Sequence, residues 1–222
     1  VTMSHEKDQA TLYIANKLAL ASYLDESFSL LDDISDLEMK SMGLLNLVIS
    51  ATKIGELNAA LDFIVYIEEP DLRDKALSAI AIEGTKMGQA EKALQLLDVI
   101  KTPLVLAHTK AEMVHSLATF GEYSIAKDLA KGIQIPSEKA FAYYGLAKSY
   151  ALLEEFDMAM DSLNSITQPN LRSNYFPKIA ALFGESKKYH YAQLLVRQIS
   201  PDTVKNLSLA EYAIQFSTHG NS

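Results

Sequence analysis

Apolar and small residues return every 33 positions along this 222-residue chain, and that register constrains its fold more than any other feature. Ile34, Ile67, Ile100, Ile133, Ile166 and Ile199 occupy one point of the register. Ser27, Ala60, Ala93, Ala126, Ala159 and Ala192 occupy a second. Pro70, Pro103, Pro136 and Pro169 form a third, and Gly55, Gly88 and Gly121 a fourth, with no insertion anywhere. A fixed period of this length marks stacked supersecondary units, none of which can bury its apolar face alone.

Within each unit two apolar runs follow helical spacing. In the third unit, Leu77, Ile80, Ala81, Gly84 and Met87 share one face, and after a turn Ala93, Leu94, Leu97 and Ile100 share another. Gly88 lies where a left-handed helix C-terminus is wanted, and Pro103 is read as the stop after the second run. The inner column of the first helix reads Ile14, Leu47, Ile80, Met113, Leu146, Ile179 and Tyr212. The next column is always small: Ala15, Val48, Ala81, Val114, Ala147, Ala180 and Ala213. Small residues facing the Ala93 column let paired helices approach closely. The pattern predicts first helices over 8–21, 41–54, 74–87, 107–119, 140–152, 173–186 and 206–217. Second helices are predicted over 25–35, 57–67, 90–100, 123–132, 155–166 and 188–199. The fold class is therefore all-α, six helix pairs and one closing helix in one continuous domain over 8–217. Residues 1–7 and 219–222 fit no column and are expected to be disordered tails.

Three departures stand out. Glu154 and Lys187 replace the turn glycine, so those two turns are expected to close differently. Pro177 is expected in the first turn of its helix, where proline is tolerated. Leu37 stands where the first proline would fall.

The columns resemble the tetratricopeptide repeat over roughly residues 8–217. The likeness rests on Leu146, Ala147, Tyr150, Ala159 and Pro169 in the fifth unit, and on Ile80, Ala81, Gly88, Ala93 and Pro103 in the third. The period is 33 residues, one fewer than is usual there; the early tryptophan is missing and the proline arrives sooner. The resemblance implies a right-handed α-solenoid whose concave face is lined by the first helices. It also implies which side chains face that surface: Lys75, Ser78, Ile82 and Lys86, then His108, Ala111 and His115, then Phe141, Tyr144 and Lys148.

A formal charge of −8 argues against a nucleic-acid binder, which needs a basic face to displace phosphate counterions. RNA recognition by helical repeats is kept as a lesser alternative. No apolar run reaches about 18 residues, so no membrane insertion is expected. There is no cysteine, which removes disulfides, thiolate metal sites and thiol nucleophiles. With a polar N-terminus unlike a signal peptide, this fits a cytoplasmic location.

Catalytic groups must converge with complementary roles. The acidic clusters Asp32/Asp33, Glu68/Glu69/Asp71 and Glu154/Glu155/Asp157 are read as turn and helix-start residues that favour the helix dipole. His108 and His115 share a helix face, but two turns separate them by about 10 Å, too far to bind one zinc. No catalytic or phosphate-binding motif appears, so the chain is expected to be no enzyme and to need no cofactor or metal. The expected role is a scaffold for a protein or peptide partner with an acidic or amphipathic segment. The candidate partner-binding residues are Lys75, Ser78, Lys86, His108, His115, Phe141, Tyr144 and Lys148. Apolar Leu207, Leu209, Ala210 and Ile214 leave a homo-oligomer through the C-terminal helix as the alternative.

Overall fold

The structure, a computed structural model, describes residues 2–198. Among the described residues the chain is all-α, with twelve helices in which long and short alternate. The long ones are α1 (Thr2–Leu20), α3 (Leu37–Lys53), α5 (Pro70–Lys86), α7 (Pro103–Thr119), α9 (Pro136–Leu152) and α11 (Pro169–Glu185). The short ones are α2 (Leu24–Asp32), α4 (Leu57–Ile64), α6 (Ala90–Leu96), α8 (Tyr123–Lys131), α10 (Phe156–Asn164) and α12 (Tyr189–Val196). From α3 to α11 each long helix begins 33 residues after the one before. The expected closing helix over 206–217 and the tail at 219–222 lie outside the described residues.

Helix starts differ from expectation, and proline is the reason. Each long helix from α3 onward begins four residues earlier than its apolar pattern suggested. Proline does not follow the short helix as a stop but opens the long one: Pro70, Pro136 and Pro169 each sit in the first helical positions. There the ring presets φ and the missing N–H would have had no helical partner. Proline also holds the residue before it extended, at ψ 116° for Glu69, 119° for Ile135 and 124° for Gln168. Where Leu37 replaces proline, the Asp36 carboxylate accepts from the Met39 N–H at 3.0 Å and caps the helix instead. Pro177, expected in a first turn, is the ninth residue of α11 and interrupts it from within, removing one hydrogen bond of the helical ladder. Residues 2–7, expected as a tail, belong to α1. Asp8 is buried and accepts from the Asp36 N–H at 3.0 Å, which ties this first part of α1 to the start of α3.

All six long helices end alike. Ser22, Gly55, Gly88, Gly121, Glu154 and Lys187 all adopt positive φ, between 59° and 89°. The next N–H reaches back five residues in each case, as from Gln89 to the Gly84 carbonyl at 2.8 Å and from Lys188 to the Phe183 carbonyl at 2.8 Å. Glu154 and Lys187 thus close their turns as the glycines do, contrary to expectation. The two carbonyls that each such cap satisfies hold the chain in the left-handed region despite the side chain.

The chain divides into two compact units, Val1–Thr109 and Lys110–Ser222, with the boundary inside α7. In the first, α3 packs on α1, α2, α4 and α5, and α5 also packs on α4 and α6. In the second, α9 packs on α8, α10 and α11, and α11 on α10 and α12. In each, Ala15, Val48, Ala81, Val114, Ala147 and Ala180 are buried, as are Ser27, Ala60, Ala93, Ala126, Ala159 and Ala192. Ser27 donates to the Ala15 carbonyl at 2.8 Å, a contact that needs the α1 and α2 backbones to be close.

Buried polar groups secure the joints. Asp74 accepts from the Thr102 and Lys101 N–H groups, at 2.6 and 3.0 Å. Burial alone would raise its pKa, but the hydrogen bonds from Thr102 and Lys101 outweigh it and hold the carboxyl below its ordinary value. The guanidinium groups of Arg73 and Arg172 donate to the carbonyls of Ile67 and Ile166, which satisfies the chain leaving each short helix.

Two stability outcomes are expected. Lys187→Gly should stabilise the protein by about 1 kcal/mol and Gly88→Ala should destabilise it by about the same, read by urea denaturation. Asp74→Ala should cost about 1–3 kcal/mol, because two N–H groups at a partly buried junction lose their acceptor. With its pKa depressed, the Asp74 contribution is full at pH above 3.8 and fades as pH falls through the folded value. The difference between wild type and Asp74→Ala should therefore shrink in acid.

Candidate functional site

In the first unit, Lys75 and Lys86 are exposed on α5, about 16 Å apart along the helix. Lys86 is paired with Glu83 at 2.8 Å. Ser78 between them is only 6% exposed, and its hydroxyl shares a 2.7 Å hydrogen bond with that of Thr109. It is an internal joint between α5 and α7 and not a residue offered to a partner. Its position on α5 is met by Thr109 of α7. His108 is exposed on α7.

In the second unit the expected residues do come together. The His115 ring on α7 lies parallel to Phe141 on α9, at 6° and 6.5 Å between centroids. Gly145, one turn along α9, makes room for it: a Cβ there would lie 2.8 Å from His115 Nδ1. That nitrogen is buried with no hydrogen-bond partner. Burial, together with the positive charge of Lys148, lowers the His115 pKa, while Glu112 pulls the other way. Neutral imidazole is therefore favoured in the fold.

Beside this pair, Tyr144 stacks on Tyr175 of α11 at 4.9 Å and 23°. The Lys178 ammonium lies 5.5 Å from the Tyr144 ring centre and 5.7 Å from that of Tyr175. Both phenols are half-buried. Burial raises the pKa of each, reinforced at Tyr175 by Glu138 and by Tyr144, so both stay protonated at neutral pH. The face of α9 and α11 therefore combines two ammonium groups, at Lys148 and Lys178, with stacked aromatic rings and neutral hydroxyl donors. Such a surface can recognise apolar and anionic groups together, since partly exposed rings supply contact area and the ammonium groups supply charge complementarity.

Tyr175 and Lys178 were not among the expected residues. The Tyr175 column holds small residues in the other units, Ala10, Gly43, Ala76, Thr109 and Ala142, whereas the Lys178 column is mixed, with Tyr13, Asn46, Ala79, Glu112 and Gly145. For Tyr175, a bulky residue in a column of small ones was the signal available in the sequence; for Lys178 its column gave none.

The acidic clusters are engaged locally. Asp32 pairs with Lys40 at 2.6 Å, Asp71 accepts from the Thr102 hydroxyl at 3.2 Å, and Asp157 accepts from the Tyr191 hydroxyl at 2.7 Å. No helix among the described residues is long and apolar enough to cross a membrane.

The lowered His115 pKa has a measurable sign. In an NMR titration its imidazole midpoint should lie below 6.5. Its contribution to stability should be present above pH 6.5 and be lost as pH falls through the folded value, a loss smaller in His115→Gln.

Neither a comparison with known protein families nor one with characterised proteins finds a match to this chain.

Proposed function

We propose that this chain is a non-catalytic interaction module that holds a segment of a partner protein against its long helices. The observation that carries this reading is the Tyr144–Tyr175 stack under Lys178, next to the His115–Phe141 pair and Lys148. Rigid aromatic rings beside ammonium groups suit an amphipathic segment with acidic residues. The scaffold in this reading is a right-handed helical-hairpin solenoid of 33-residue units, similar to tetratricopeptide arrays. The equal spacing of the helix starts supports it, as does the packing within each unit, of α3 on α1 and α5 in the first and of α9 on α11 in the second.

Differential capture from a cell extract, read by mass spectrometry, tests this. A double variant, Tyr175→Ala with Lys178→Glu, should lose a specific protein roughly tenfold or more relative to wild type. Lys86→Glu on the other unit should retain it. Equal recovery by all three proteins, with unchanged helicity, would remove the α9–α11 face from consideration.

Ile14 favours a second reading, self-assembly. It is 51% exposed, whereas Leu47, Ile80, Met113, Leu146 and Ile179 at the corresponding positions are buried. A second copy that covered this face would give a mass that rises with concentration in sedimentation and stays monomeric in Ile14→Asp. The C-terminal residues Leu207, Leu209, Ala210 and Ile214 lie outside the described residues.

A further inference from the structure

A cleft of about 330 Å³ opens between α4 and α6 over α5, within the first unit. Leu57, Ile80, Gly84 and Ala93 form its floor, and Leu61, 37% exposed, stands at its rim. The cleft exists because three positions carry the wrong residues to fill it. In the second unit Phe156, Phe183 and Tyr191 occupy the corresponding positions and pack ring against ring, 5.4 to 5.8 Å apart. Their counterparts 99 residues earlier are Leu57, Gly84 and Lys92. Where three rings meet in the second unit, the first has one aliphatic side chain, no side chain, and an ammonium group.

The vacancy is not a packing requirement. A Cβ on Gly84 would find only Leu57 Cδ1 at 3.6 Å and Ala93 Cβ at 3.7 Å, both ordinary contacts. Gly84 also sits inside a helix at ordinary φ, where glycine costs stability relative to alanine. Neither steric need nor backbone conformation calls for glycine here.

We propose that the cleft over Gly84 receives an aromatic side chain of a partner polypeptide, flanked in that partner by a carboxylate. The chain's own use of stacked rings at the matching position identifies an aromatic ring as the group that fits the space. Lys92 is the one charged residue lining the cleft, and among the described residues it has no ion pair, which selects an anionic neighbour for the ring. Asn58, Gln89 and Gln95 at the edge offer hydrogen bonds to the backbone on either side of the ring. This site is separate from the α9–α11 face and does not rest on the function proposed for it. The Tyr175→Ala, Lys178→Glu variant should bind here as wild type does.

The probe is the acetylated, amidated tripeptide Asp-Trp-Asp, titrated into protein labelled at Leu, Ile and Ala methyl groups. Saturable shifts should appear at Leu57, Leu61, Ile80 and Ala93, with intermolecular NOEs from the indole to Leu61 and Ile80. Asp-Ala-Asp should give none. Lys92→Gln should weaken Asp-Trp-Asp about three- to fivefold and leave Asn-Trp-Asn unchanged. Gly84→Leu, which places in the cleft the side chain carried by Leu117 in its own column, should abolish the shifts with the fold intact. Absence of saturation in wild type by about 10 mM peptide, or of indole NOEs to these methyl groups, would overturn the proposal. So would unchanged binding in a folded Gly84→Leu protein. Tighter binding of free indole-3-acetate than of the peptide would also sink it, as a small-molecule pocket.

Discussion

The rest of the structure depends on the close approach of each long helix to its short partner. Packed helices ordinarily lie 8–10 Å apart, at a distance set by the side chains between them. Here one side of the seam is Ala15, Val48, Ala81, Val114, Ala147 and Ala180, and the other is Ser27 and five alanines, all buried. Their small size lets Ser27 reach the Ala15 carbonyl and brings Ala93 within van der Waals range of the Gly84 position. The larger residues beside the seam, Leu47, Ile80, Met113, Leu146 and Ile179, then bury completely or nearly so. A substitution that enlarged a seam residue would push the pair apart and expose these side chains in turn.

Short helices carry a second cost, since a larger share of their backbone groups lies near an end. The chain meets it with fixed devices. Proline opens the long helices, a left-handed residue closes them, and side chains from neighbouring turns bond what remains. Asp8 and Asp74 occupy the same point of the register and both accept N–H groups ahead of the next long helix. Lys40 and Lys139 likewise share a position and both reach a carbonyl at the end of the preceding short helix. Asp8, Asp74, Lys40 and Lys139 thus serve these joints.

Against so regular a frame, the informative residues are those that break the register. Tyr175 puts a ring in a column that elsewhere is small and, with Lys178 beside it, builds the aromatic surface of α9 and α11. Gly84 does the opposite: it removes a side chain from a column that holds Leu117, Tyr150 and Phe183, and opens a cleft. One surface arises by addition and the other by omission.

The sequence by itself determined the all-α class, the alternation of long and short helices, the columns that form the core and the places where turns fall. These are properties of one unit and its period, so they can be read without knowing any neighbour. Cap chemistry was legible only in part. Proline marked the junctions but opens helices where it was read as closing them, and Glu154 and Lys187 adopt a backbone conformation that composition alone would assign to glycine. The tertiary structure decided which side chains are free. Ser78 looked like a surface residue until Thr109 of α7 covered it, and His115 seats against α9 because position 145 is glycine. Exposure depends on what the next helix brings to the contact. A register counted along one chain fixes which residues correspond, but not which of them a neighbour will bury.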